Sequence, residues 1–333
     1  MPNGEHYSDH KLDLESLSLY SLLNEPDTEI IKHDRDFDDY DDYWGDITQV
    51  VGYDNGLVCL ASKRGDVFLW NPSTGESNGL PDLIPESKYF LAFGFCYDEL
   101  NDDYKVFSIC DRYKVSVYSL KNDELRMIAD FPYEIRSYHI YYKGMFANEA
   151  MHWACRPVGR ESKIIVALDI KTETFGEVLP PIYGEGECRW LLGTFGTSLS
   201  FCRFDSTYAD FWVMKYGTEE SWTKLFTIPY VDGPKDQFSS EDLLYPNIDR
   251  EANLIRPTEL SFLKPINITV NGEIIMMLNS HIQLYNPKDS IYKELFDRGE
   301  CYEYHRDTGP FIFTRGFNCD VNAYVESLIS PYL

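Results

Sequence analysis

A chain of 333 residues with 44% hydrophobic content can bury one large core or two modest ones, and this composition excludes a disordered chain. A formal net charge of −25 sets the surface against nucleic acid and suits a basic protein partner, although acidity also simply keeps an aromatic-rich chain in solution. Apolar runs such as IIMML at 274–278 fall far short of the roughly 20 residues of a membrane helix, and the opening MPNGEHYSDHKLD is too polar for a secretory signal.

Aromatics stand at 15%, with 25 Tyr and 20 Phe, and short β-branched and aromatic runs recur between Gly, Pro, Asn and Asp clusters. Long helical periodicity is scarce, so the chain reads as all-β. Its eight cysteines lie singly, mostly inside apolar runs such as LVCLA and FGFCY, as buried free thiols in a reducing compartment would.

In chain order, the first apolar segment is SLSLYSLLN at 16–24, which alternates and reads as a strand. Next comes KHDRDFDDYDDYWGD, where Asp34, Asp36, Asp38, Asp39, Asp41, Asp42 and Asp46 place seven carboxylates within thirteen residues. The spacing of Asp34, Asp36 and Asp38 opens a calcium loop, but the sixth position, which needs Gly, is Asp39, and the twelfth, which needs Glu, is Gly45. Calcium is therefore not expected. The segment is either a solvated connector or a docking loop. In the second reading Asp36, Asp38, Asp39, Asp41 and Asp42 attract a basic protein face and Tyr40, Tyr43 and Trp44 contact it.

From residue 55 onward one phrase recurs. VFLWNPSTGE at 67–76 and IQLYNPKDS at 282–290 both climb an alternating strand to an aromatic, break at Asn-Pro and restart, which is the pattern of a hairpin. With Asn71 as anchor, Ser119, Asp169, Lys215 and Asn286 follow at intervals of 48, 50, about 46 and about 71 residues. Upstream of each lies another strand pair: NGLVCLASKRGDVFLW, FGFCYDELNDDYKVFSI, GMFANEAMHWACRP, LGTFGTSLSFCRF and ITVNGEIIMML. Four short strands per unit at this period predict a β-propeller-like ring of about six degenerate, kelch-like blades. Trp70, Leu168, Trp212 and Tyr285 should then occupy equivalent positions, and VNAYVESLI at 321–329 should close the ring beside the N-terminal strand. A two-sheet sandwich or two small β-domains is the competing architecture.

The long fourth interval holds an insertion, Asp232 to Glu259, whose Asp236, Glu241, Asp242 and Tyr245 are candidate contact residues. Loops of this kind on a rigid scaffold carry recognition or nothing. Catalytic signatures are missing: there is no G-x-S-x-G, Walker loop or H-E-x-x-H, and Cys301, His305 and Cys319 lack a fourth ligand at metal spacing. No cofactor and no metal is implied. The enzymatic rival is a propeller glycoside hydrolase, which needs two paired acids that 55 scattered carboxylates do not single out. A non-catalytic scaffold is the third reading.

Taken together, NGLVCL, LWNPSTGE, GFCYDELNDDYKV, VYSL, FANEAMHW, IVALDIKTETFGEV, DFWVMKYGTEESWTKLFTI, NGEI, LYNPK and YVESLISP resemble the F-box-associated domain of plant F-box proteins, over residues 50 to 330. Within that family the chain is similar to S-locus F-box and S-locus F-box-like proteins. The resemblance implies a substrate receptor of a Skp–cullin–F-box ubiquitin ligase, working in the cytoplasm, with the nucleus also open. In the S-locus branch it implies as target a basic S-RNase of self-incompatibility. Residues 51–333 would form the target-binding domain. Residues 1–50 depart from the family pattern: they have no Leu-Pro start and no basic helical segment, so docking to the Skp-type adaptor and cullin is expected only if a full-length protein carries an F-box.

Overall fold

The computed structural model of the protein describes residues 15–16, 19–24, 31–32, 47–62, 65–84, 90–110, 113–140, 143–160, 162–181, 189–204, 208–216, 221–229, 264–278, 281–297 and 329–332. A short pair, β1 (Glu15–Ser16) with β2 (Ile31–Lys32), flanks the helix α1 (Leu19–Asn24). Five antiparallel sheets follow. Blade I is β3 (Ile47–Asp54), β4 (Leu57–Ser62), β5 (Val67–Trp70) and β6 (Ser77–Gly79); blade II is β7 (Phe90–Asp98), β8 (Asp103–Cys110), β9 (Lys114–Ser119) and β10 (Glu124–Asp130). In blade III, β11 (Ile135–Ile140) and β12 (Met145–Ala147) both pair with β13 (Ala150–Pro157), followed by β14 (Ile164–Asp169) and β15 (Phe175–Val178). Blade IV is β16 (Arg189–Phe195), β17 (Ser198–Phe204), β18 (Tyr208–Lys215) and β19 (Ser221–Pro229); blade V is β20 (Lys264–Ile268), β21 (Ile274–Leu278), β22 (His281–Asn286) and β23 (Ile291–Asp297). Within each sheet the strands lie in chain order, and β3, β7, β12, β16 and β20 touch one another in succession. The first strands therefore line the axis and the fourth strands face outward, which is a β-propeller. Five such sheets stand among the described residues, against an expectation of about six.

The recurring phrase is explained by the hairpin between third and fourth strands. The Asn71 side-chain oxygen accepts hydrogen bonds from the N–H groups of Ser73 (2.8 Å) and Thr74 (3.3 Å). The Asp169 carboxylate does the same with Lys171 (2.9 Å) and Thr172 (2.7 Å), and Asn286 accepts from Lys288 (2.9 Å). Ser119 Oγ accepts from the Asn122 N–H at 3.2 Å. Such a side chain replaces a strand partner with a local turn, which is why the anchor is Asn, Asp or Ser. Four residues beyond each anchor the backbone turns left-handed, with φ of 76° at Gly75, 48° at Asp123, 55° at Glu173 and 55° at Ser290. Only the first of these positions holds the residue that adopts such a φ without strain. Ser290→Gly is therefore expected to stabilise the protein by about 0.5–1 kcal/mol and Gly75→Ala to destabilise it by about 1 kcal/mol. Urea midpoints that move in neither direction would contradict this.

Just before each anchor sits a buried residue: Trp70, Tyr118, Leu168, Met214 and Tyr285 are 0–5% exposed. Trp212 does not hold that position as the sequence pattern suggested. Met214 does, pairing across to Trp222 as Trp70 pairs to Ser77, because the site asks for apolar bulk and an unbranched thioether supplies it as well as a ring.

Successive blades bury their facing sides against each other. Val51, Leu57 and Leu69 of blade I pack with Phe95, Tyr104 and Val106 of blade II; Phe107 and Val117 of blade II pack with Trp153 and Val166 of blade III. Ile165 of blade III meets Phe201 and Met214 of blade IV, whose Phe211 meets Ile274 and Tyr285 of blade V. The end blades are covered on their other sides too. Val58, Leu60, Phe68 and Trp70 of blade I are at most 8% exposed, and Leu22 of α1 packs on Ile275 and Ile282 of blade V. A terminal sheet in an open array would leave one face wet, whereas both end blades here are buried on their outer sides. The C-terminal residues take part: Asn71 Nδ2 donates to the Ile329 carbonyl at 2.7 Å and Asn78 Nδ2 to the Pro331 carbonyl at 2.9 Å. Pairing of 321–328 falls outside the described residues. The N-terminal segment differs from expectation, since Leu19–Asn24 is a helix. Leu22 and Leu23 lie on the blade V side, and Asn24 Nδ2 returns to the Tyr20 carbonyl at 2.8 Å. The period-2 alternation of SLSL ends before the helix has turned once.

Candidate interaction face

Antiparallel strands in chain order send the first-to-second and third-to-fourth hairpins to one face of the ring. The hairpin face is rigid near the axis: Asn55-Gly56 and Asn148-Glu149 form tight turns with φ of 41°, 87°, 50° and 59°. It is also tied between blades, because Asp54 accepts the Tyr97 N–H at 2.9 Å and Tyr104 OH donates to the Asn55 carbonyl at 2.7 Å. Burial pushes the Asp54 carboxyl above the usual carboxylate range, against that hydrogen bond. Leu100 and Val270, 65% and 103% exposed, stand on turns of this face.

The same face contains an open cleft of about 420 Å³ on the side of blade II that meets blade III. Its deep wall is built from paired charges. Lys105 Nζ lies 2.5 Å from Asp98 Oδ2, which also accepts Asn101 Nδ2 at 2.6 Å. Burial works to raise the Asp98 carboxyl, but these donors outweigh it and hold the group below its ordinary value. Asp103, 2% exposed, accepts Ser119 Oγ at 2.7 Å and the Lys121 N–H at 2.9 Å. At the mouth, Lys121 Nζ donates to the Asn101 carbonyl at 3.0 Å. Arg126 reaches across the seam to grip both carboxylate oxygens of Glu173, one at 2.9 Å, and so holds that carboxyl below its usual range. The arrangement offers fixed hydrogen-bond donors around a small polar volume.

Among the described residues no three His, Cys, Asp or Glu side chains are placed to share a metal ion, and no helix is long and apolar enough to cross a membrane. Cys59, Cys96, Cys110, Cys155 and Cys202 are free and buried. Burial pushes the thiols of Cys155 and Cys202 up to about 12, far from the range of a nucleophile.

The contact residues expected from the sequence, Asp36, Asp38, Asp39, Tyr40, Asp41, Asp42, Tyr43 and Trp44 in one segment and Asp236, Glu241, Asp242 and Tyr245 in the other, all lie outside the described residues. The cleft was missed. Its cations, Lys105, Lys121 and Arg126, are scattered over three elements and carry no motif; only the strand register brings Lys105 beside Ser119 and Ser119 beside Glu124.

Fold and face define a class: a β-propeller of degenerate blades built from four- and five-stranded antiparallel sheets. The chain belongs to the F-box-associated family, because the model of the F-box associated beta propeller domain matches residues 8–295. Relatives in Arabidopsis thaliana include the F-box protein CPR1, 31% identical over 218 residues that cover 55% of this chain and 53% of that one. An F-box/kelch-repeat protein is 30% identical over 65% of this chain and 61% of its own length, and a further F-box protein is 28% identical over 75% and 66%. The chain thus spans a little over half the length of the first two relatives.

Proposed function

We propose that the protein is the target-binding module of a Skp–cullin–F-box ubiquitin ligase, with no catalysis of its own. The observation that carries this reading is the family match over residues 8–295, on a ring whose blades leave a rigid rim of turns for a partner. A net charge of −25 suits a basic target, and the S-locus resemblance makes an S-RNase the candidate. Adaptor and cullin would join only if the full-length protein carries an F-box. Fusing an F-box ahead of residue 1 should let the chain retain a Skp-type adaptor and direct ubiquitin to a bound target, whereas the 333-residue chain alone should retain none. Adaptor captured by the unfused chain would refute the division of labour.

Within this reading the two acidic segments draw in the target. Replacing Asp36, Asp38, Asp39, Asp41 and Asp42 by Asn should slow association with a basic ribonuclease about tenfold at low salt, with little effect on dissociation, since long-range attraction acts on encounter. Tyr40, Tyr43 and Trp44, as aromatic contacts, should instead shorten the lifetime of the complex when truncated, as should Tyr245 beside Asp236, Glu241 and Asp242. Equal association rates for wild type and the five-fold variant would reduce the first segment to a solvated connector.

A further inference from the structure

We propose that residues 329–332 form a releasable strap over the outer edge of blade I, and that Asn71 is the keeper that sets how often the strap lifts. The Asn71 N–H donates to the Glu76 carbonyl and the Leu80 N–H to the Val67 carbonyl, each at 2.9 Å. By antiparallel alternation, Ser77 and Gly79 of β6 therefore turn their backbone groups away from β5. Groups on such an edge pair with any extended chain that arrives, and a loop laid over them is one protection. Here the cover is the strap. Tyr332 OH donates to the Ser77 carbonyl, Asn78 Nδ2 donates to the Pro331 carbonyl at 2.9 Å, and Pro331 is buried. Ile329 packs on the apolar cluster shared by blades I and II.

The strap is clipped on and not woven in. Pro331 has no N–H to give, and among the described residues Ser330 to Tyr332 make no backbone-to-backbone hydrogen bond with β6. Its bonds to Asn78 and Ser77 each run through a side chain, and Tyr332 is 62% exposed, so water competes for the outermost clip. Asn71 stands apart from the other turn anchors in what its amide does. Its Oδ1 holds the Ser73 and Thr74 N–H groups as Asp169 holds those of Lys171 and Thr172, a task a carboxylate performs equally well. Its Nδ2 donates at 2.7 Å to the carbonyl of Ile329, 258 residues away, which a carboxylate cannot do. Asn286 instead spends its Nδ2 on Asp289, three residues on. Because Asn71 is fully buried, replacing its amide by a carboxylate would set two acceptors against each other away from water and lift the strap.

The test treats the 333-residue chain with carboxypeptidase Y and follows the loss of Tyr332 by mass spectrometry. A protease must draw the end of the chain into its own cleft, so the rate follows the lifted population when the strap recloses quickly. Wild type should lose Tyr332 at least about tenfold more slowly than a free peptide of residues 326–333. Asn71→Asp should speed the loss about tenfold and Asn78→Ala about three- to fivefold, as fits the loss of one hydrogen bond at a buried and at a half-buried site. Asn286→Asp, which keeps its turn and touches no part of the strap, should stay within about twofold of wild type. Each variant is first checked for the far-UV circular dichroism of wild type. Should Asn71→Asp fail to fold, Asn78→Ala decides, since it lies outside the turn that Asn71 caps. Wild type trimmed as fast as the free peptide, Asn78→Ala trimmed at the wild-type rate, or a folded Asn71→Asp no faster than Asn286→Asp would overturn the proposal.

Discussion

Trp153→Ala is expected to destabilise the ring by about 3–5 kcal/mol, a large share of the 5–15 kcal/mol that holds a typical domain together. The side chain is fully buried on β13 of blade III, yet its indole Nε1 donates at 3.2 Å to the carbonyl of Phe93 on β7 of blade II. Phe131, also of blade II, meets the ring edge-on at 6.4 Å. Gly94 and Gly144 let the backbones come this close: a Cβ on Gly144 would stand 2.9 Å from Trp153 Nε1 and 2.8 Å from Met151 Sδ. The Gly144 N–H donates to the same Phe93 carbonyl at 2.6 Å, and Lys143 pairs with Phe93 in parallel, so two blades are stitched at their inner edges. Truncation empties a cavity no neighbour can collapse into, since the surrounding strands are pinned by hydrogen bonds. Trp153→Phe, which keeps most of the ring and loses the N–H, should cost about 1–2 kcal/mol. Urea unfolding with an unchanged slope would measure both. A loss below about 1 kcal/mol for alanine would mean that the seam between blades II and III is not a source of stability.

How far the architecture was readable depended on whether the chemistry was local. Asn71, Asp169 and Asn286 announce their hairpins because each side chain bonds its own turn, within three residues. Ser119 is weaker for the same reason, having one oxygen to offer and leaving Asp103 to take the Lys121 N–H. Left-handed positions were legible at Gly75 and hidden at Glu173 and Ser290, where tertiary structure imposes a φ that the residue type does not request. Trp212 misleads because its bulk suits the blade position equally well in the sequence, and only the strand register shows that Met214 fills it. The cleft was least legible of all: it is made by residues up to 25 positions apart, from Asn101 to Arg126, and the acidity of the whole chain hides three cations that converge on one seam.

Acid should loosen the protein before its carboxylates titrate, and His152 is the reason. It lies on β13 with its ring toward blade IV, 2% exposed, where Nδ1 faces the Met145 carbonyl at 3.2 Å. Burial lowers its pKa to about 4, the backbone carbonyls opposing only in part. An unfolded chain would hold the same imidazole near 6.5. Between these values the unfolded state binds a proton that the folded state refuses, so stability is constant above about pH 6.5 and declines as pH falls toward 4, levelling off below. The full difference corresponds to about 3 kcal/mol, of which about 2 kcal/mol is lost by pH 5, ahead of most carboxylate protonation. His152→Asn can still donate a hydrogen bond to the Met145 carbonyl and has no proton to gain. Urea midpoints measured at pH 7.5, 6 and 5 should therefore fall steeply for wild type and stay nearly level for the variant, with the two proteins closest at pH 7.5. Parallel declines would place the acid sensitivity elsewhere and show that imidazole protonation is accommodated within the blade III–IV seam.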